Sequence, residues 1–193
     1  MAQIIRPNLW SQAKSIGSVT ITKDQVYYIQ GQQALAEMGK TSGKWFFEVQ
    51  WVTGSVAALV AGVSCLGFSD YRGWYANTGQ RVSPSTGYQN WEGTGYTYGD
   101  YIGVAVDLNE GTIGFYRNGV FRGTAFTDLK TMVGLMYPGV WAGGTGNYTI
   151  KINSGAPGNT FQYPAPSGYK PWCIAGENNN APSMYLPKTY RKL

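Results

Sequence analysis

The chain has 193 residues, 43% of them hydrophobic and 13% charged, with 27 glycines and a formal net charge of +5. That length and apolar content excludes charge-driven disorder and suffices for one buried core, while the glycines point to many tight turns between short strands. Lysines and arginines are scattered singly, with only Lys188, Arg191 and Lys192 gathered near the end, so nucleic acid is not an expected partner.

Residues 1–7 lack the charged start and long apolar segment of a secretory signal, and no run approaches the length of a membrane span. The expectation is synthesis in a cytoplasm without classical export, and no membrane insertion. Strand signals begin at 19–22 and 26–29, two runs rich in β-branched and aromatic residues around a turn at Lys23-Asp24, which together predict an opening hairpin. Residues 33–38 carry helix formers but are too few for a helix of their own, and lean to strand.

Residues 44–52 alternate: Trp45, Phe47, Val49 and Trp51 point one way, Lys44, Glu48 and Gln50 the other, so one face of this strand is core. Residues 56–66 are almost continuously apolar, which predicts a strand covered on both faces, with Gly62 marking close packing or a bulge. Cys65 reads there as a small buried hydrophobe; the distant Cys173 follows a Pro-Trp pair, and the two imply no disulfide framework. From 69 to 99 the composition turns to Gly, Ser, Thr, Asn and aromatics. This region is expected to supply the long loops, with strand islands at 74–76 and 88–91.

Residues 101–108 alternate again, with Ile102, Val104, Val106 and Leu108 on one face. The turn Asn109-Glu110-Gly111, the strand 112–117 and the two-residue turn Asn118-Gly119 leading into 120–123 make a three-stranded meander. Residues 135–142 read as an apolar strand placed at an edge or bulge by Pro138. Residues 147–153 close the set, with Tyr148, Ile150 and Ile152 turned inward. About ten short strands and no helical period predict an all-β, two-sheet antiparallel sandwich.

Several of these segments resemble the SPRY (B30.2-like) family in order and in residue. Gly43-Lys44-Trp45-Phe46-Phe47-Glu48-Val49 and Gly62-Val63-Ser64 come first. Gly99-Asp100-Tyr101-Ile102-Gly103-Val104-Ala105-Val106-Asp107-Leu108 then runs into Gly111-Thr112-Ile113-Gly114-Phe115-Tyr116-Arg117-Asn118-Gly119. Phe126-Thr127-Asp128-Leu129, Leu135-Met136-Tyr137-Pro138-Gly139-Val140 and the closing 161–170 stretch follow. The resemblance implies a concanavalin A-like sandwich over 1–173 that recognises protein partners through loops at one end; the polar composition beyond it predicts an extended tail at 174–193. Most matching residues have a packing role: Asp100 and Asp107 pin turns, and Trp45, Phe47, Ile113 and Phe115 fill the core.

No histidine is present, which removes Ser-His and Cys-His chemistry and the commonest transition-metal ligand, and two distant cysteines cannot make a zinc site. No phosphate-cradling glycine loop appears either. No catalytic residue, metal or cofactor is therefore expected. The enzyme alternative is a glycosidase, since lectin-shaped sandwiches host such enzymes; it needs two carboxylates a few ångströms apart, and no Glu-x-Asp or Glu-x-x-x-Glu pair lies on one strand.

Asp70, Tyr71, Arg72, Trp74, Asn90 and Trp91 are the expected ligand-binding residues, because aromatic rings give contact area at low entropic cost and Arg, Asp and Asn add directed bonds. A protein partner is the first reading; a lectin-like adhesin stacking a host glycan on exposed rings is the alternative. The lack of histidine, the low charge and the Gly, Asn, Thr and Tyr bias resemble bacteriophage virion proteins, which implies a capsid decoration or tail component bound to neighbouring subunits. Met184, Tyr185, Leu186, Tyr190 and Arg191, beyond the polar linker 176–182, are the expected docking residues.

Overall fold

The computed structural model describes residues 10–16, 19–21, 25–28, 33–36, 38–53, 59–65, 69–142, 148–155 and 159–173. Among the described residues fifteen strands run in chain order: β1 (Trp10–Ile16), β2 (Val19–Ile21), β3 (Gln25–Tyr28), β4 (Gln33–Ala36), β5 (Lys44–Thr53), β6 (Leu59–Cys65), β7 (Tyr71–Tyr75), β8 (Arg81–Ser83), β9 (Gly87–Gln89), β10 (Tyr101–Asp107), β11 (Thr112–Arg117), β12 (Val120–Phe126), β13 (Met136–Ala142), β14 (Tyr148–Asn153) and β15 (Lys170–Pro171). One 3-10 turn, Leu129–Thr131, follows β12. The strands form two sheets, ordered β1-β4-β13-β6-β7-β8-β9 and β12-β11-β10-β5-β14-β3-β2, with β15 added parallel to β5. This is the expected antiparallel sandwich.

The alternating runs lie side by side in one sheet and turn their apolar faces across the sandwich toward the other. Trp45, Phe47, Val49 and Trp51 of β5 and Ile102, Val104 and Val106 of β10 share one core with Leu59, Ala61 and Val63 of β6, Trp74 of β7 and Val140 of β13. Burying such side chains is worth about 1.5–3 kcal/mol each, which makes this layer the main stabilising term. Trp172 closes it from the chain's far end, its ring edge-on to Phe47 at 5.8 Å and its indole N–H donating to the Met38 carbonyl at 2.9 Å. Both cysteines are buried free thiols.

The turns obey their residues. Asn118 (φ 51) and Gly119 (φ 78) take the two left-handed positions that join β11 to β12 with the right-handed strand twist. Asp107 pins the preceding turn by accepting the N–H groups of Asn109 and Glu110 at 3.0 Å each. Asp100 accepts the Thr97 N–H at 2.8 Å and pairs with Arg117 at 2.8 Å.

Three expectations are corrected. The second face of β5 is not open: Phe46 and Glu48 are buried beneath the 161–163 segment, whose Gln162 and Tyr163 N–H groups donate to the Glu48 carboxylate at 2.7 and 2.9 Å. Pro138 does not mark an edge, because β13 lies between β4 and β6. Met136 turns its N–H and carbonyl to Lys40, so Pro138, two residues on, presents its missing donor to that same side, beyond Gly139 where the β4 ladder ends. Finally, 69–99 holds three strands rather than two islands: β7, β8 and β9 extend the first sheet.

Candidate binding surface

The expected binding residues do not form one patch. Asp70 lies where β7 begins, whereas Asn90 and Trp91 follow β9 at the other end of that strand, since Gln89 pairs with Arg81 and Arg81 with Trp74. Asn90 is exposed, and Trp91 leans edge-on against Trp74 at 5.5 Å. Trp74 is 0% exposed and packs in the core against Tyr96 and Phe115, which removes it from any contact surface. The docking candidates Met184, Tyr185, Leu186, Tyr190 and Arg191 lie outside the described residues.

Arg72 is likewise internal, 3% exposed. Its Nε and Nη2 grip the Asp128 carboxylate at 3.0 and 2.9 Å, its Nη1 donates to Asp70 and to the Tyr71 carbonyl, and its guanidinium lies 5.8 Å from the Phe126 ring. The pair Asp70 and Asp128 is the only carboxylate couple that the described ion pairs bring to one cation, and it cannot serve as an acid and a base: the bond from Arg72 holds Asp128 below the usual carboxylate range. Burial pushes Glu48 up, but both its oxygens are taken by backbone N–H groups. Arg72 is thus a clamp between strand and loop, not a ligand contact.

β7 is inverted relative to an ordinary surface strand, its charge inside and its tyrosines outside. Tyr71, Gly73 and Tyr75 point away from the main core, as do Val60, Gly62 and Ser64 of β6 and Tyr137, Gly139 and Trp141 of β13. Three rows cross these strands: Tyr137, Ser64 and Tyr71; Gly139, Gly62 and Gly73, continued by Val82 and Tyr88; and Trp141, Val60 and Tyr75. None of these residues is charged. Most of this second face is covered rather than solvated: Val60, Val82, Tyr137 and Trp141 are buried, and Tyr71, Tyr75 and the exposed Tyr88 are the side chains of these rows that reach solvent.

The glycine row explains how the aromatics lie. A Cβ on Gly139 would stand 3.2 Å from the Trp141 ring, and one on Gly73 would stand 2.4 Å from Val60. Their absence lets the Trp141 indole lie low across the strands, 4.8 Å from the Tyr71 ring. Tyr75 and Tyr88 make a second couple at 4.9 Å, and Tyr88 remains 56% exposed. Burial holds the Tyr71 and Tyr88 phenols above their ordinary value, so both are neutral hydrogen-bonding groups at physiological pH. Of the expected residues, Tyr71 alone belongs to this face. The period-two run Tyr71-x-Gly73-x-Tyr75 was the signal for it.

The two antiparallel sheets, packed face to face, define the class of fold. The chain belongs to the SPRY domain family, whose model matches residues 44–157, and SPRY domains are protein-interaction modules. It is 36% identical over 96 residues to the E3 ubiquitin-protein ligase RKP of Arabidopsis thaliana, covering 47% of this chain and 8% of that protein. The chain therefore spans only a small part of that relative. Its fold is similar to the SPRY domain of human HERC1, with a TM-score of 0.67 and 22% identity over 75% of this chain and 96% of that one. A second human SPRY domain matches with a TM-score of 0.52 and 15% identity, over 71% of this chain and 95% of that one.

Proposed function

We propose that the chain is a non-enzymatic recognition module that binds a protein partner through the outward face of its seven-stranded sheet. The observation that carries this reading is the part of that face that reaches solvent, Tyr71, Tyr75 and the exposed Tyr88, set beside the buried Trp141 with both charges of β7 and β8 turned elsewhere. Arg81 reaches inward, donating to the Ala125 carbonyl at 2.6 Å. Aromatic anchors on a rigid sheet provide binding area with little ordering cost, which is the composition of interface hot spots.

The biological setting we propose is a virion, where the chain decorates a capsid or tail and the 174–193 tail docks on a neighbouring subunit. Composition alone motivates this setting; the relatives named above are plant and human proteins. Mass spectrometry of purified particles tests it, together with deletion of 174–193, which is expected to abolish incorporation without unfolding the sandwich. Absence from particles defeats the setting but not the module.

The face is tested by capture experiments with the full chain and with Tyr75→Glu, which puts a charge at its centre. Capture of a defined partner by the wild type and its loss in the variant is the expected result. Equal capture by both removes the face from the reading, and specific binding on a glycan array without protein capture replaces the protein partner by a host glycan.

A further inference from the structure

We infer that β9 is an open sheet edge to which a partner adds an uncharged extended segment as a further strand, setting an apolar side chain beside Tyr88. This rests on the protein-binding reading above and specifies how the partner engages. β9 ends the order of the seven-stranded sheet. The direction of its backbone groups follows from the neighbouring strands. Tyr75 donates its N–H to the Gln80 carbonyl at 2.8 Å, so Gln80 faces β7. Val82, two residues on, faces β7 as well. Val82 and Tyr88 are therefore a pair without mutual hydrogen bonds, and the N–H and carbonyl of Tyr88 point away from β8, toward the free edge.

The edge is also accessible, and at three residues it is short. Tyr88 is 56% exposed, and a Cβ built on Gly87 would meet no atom within 4 Å. Proteins ordinarily block such edges with charges, prolines or covering side chains. The edge strand of the other sheet, β12, is blocked in this way: Arg81 caps the Ala125 carbonyl, and Arg122 is paired with Glu92 beside it. β9 itself is Gly-Tyr-Gln, with neither charge nor proline.

Charge decides the occupant. Among the described residues, the side chains that flank Tyr88 on this face, Tyr75 and Val82, carry no charge. A charged side chain placed there would lose hydration with nothing to replace it. A strand with apolar or aromatic residues at alternate positions gains main-chain bonds from Tyr88 and ring contact with Tyr75 and Tyr88.

The test selects displayed random linear peptides on the full chain. Enriched peptides are expected to alternate apolar and uncharged residues, to slow amide exchange at Tyr88, and to bind Tyr88→Pro, which lacks the outward N–H, roughly ten-fold more weakly or worse. Tyr88→Lys keeps the N–H and is expected to weaken binding through its charge; it serves if the proline variant fails to fold. No enrichment, enrichment of acidic peptides, or an unchanged Tyr88 amide overturns the inference. Binding that Tyr75→Glu abolishes and Tyr88→Pro leaves intact overturns strand addition while the face reading stands. Indifference to both variants ends both readings. A wild-type dimer that Tyr88→Pro dissociates reassigns the occupant to a second copy of the chain and overturns the heterologous segment.

Discussion

Arg72 and Asp128 meet side by side, two nitrogens of the guanidinium on two oxygens of the carboxylate, and so tie β7 to the segment that follows β12. The contact joins residues 56 positions apart in the chain and fixes the loop leading into β13 against the sheet. Because Asp70 shares the same cation, the loop preceding β7 is held too.

The two partners are not equally replaceable. Asp128 has a side chain 45% exposed, so its carboxylate is partly solvated and Asp128→Asn is expected to cost about 1 kcal/mol once solvent screening is allowed for. Arg72→Met removes a buried cation and leaves two carboxylates facing each other, with an expected loss of about 3 kcal/mol. Urea unfolding of both variants checks the order; equal losses contradict the clamp.

Acid should weaken the fold through these carboxylates. Burial alone would raise Asp107, but the Lys44 ammonium and the N–H groups of Glu110 and Asn109 hold it below its ordinary value, and Asp128 is held down by Arg72. A group lowered in the folded state gives stability that is present above its unfolded value and lost as pH falls through the folded one. The urea midpoint is expected to be flat near neutrality and to fall from about pH 4 downward, in the ordinary carboxylate range.

Glu48 carries the opposite sign. Its burial raises it, so the folded state takes up a proton there before the unfolded chain does, and acidification through that interval is stabilising. Glu48→Gln is therefore expected to steepen the acid limb relative to the variant's own neutral stability. Glu48→Ala instead strands the N–H groups of Gln162 and Tyr163, at about 1–3 kcal/mol for each buried donor left unpaired. Urea titrations across pH separate the two effects.

Gly62 cannot accept a side chain. A Cβ there would stand 2.0 Å from the Arg72 carbonyl oxygen, a backbone atom that moves only if β6 and β7 part. Gly62→Ala is expected to cost about 3 kcal/mol or more, near the limit for a single overpacking change. Gly87→Ala meets open space, and only its positive φ of 63 opposes it, so a loss of about 1 kcal/mol is expected. Thermal melts of the pair compare contact with conformation.

Much of the architecture was legible because strand period and turn chemistry are local. Trp45 to Trp51, Ile102 to Val106 and Asn118-Gly119 each announce their geometry within a few residues, and both strand faces and turn type follow. The proposed face is legible only in part. Tyr71 lies on it, whereas Arg72 and Trp74 are buried, because the inward turn of even residues on β7 depends on which sheet the strand joins. Tyr75 and Tyr88 stood among the aromatic residues of that region, yet nothing local distinguishes a ring on a face from one beneath a loop.

The amino-acid order by itself determined an all-β sandwich of the SPRY type, its main core and its meander turns, since alternation and turn residues act over a few positions. The tertiary structure alone decided that Arg72 is a buried clamp, that Glu48 lies under a strap from the chain's far end, and that glycines 62, 73 and 139 fall in one row beneath Trp141. Those relationships join residues that only strand register brings together. Register is set by the packing of the whole sheet rather than by any segment's own preference.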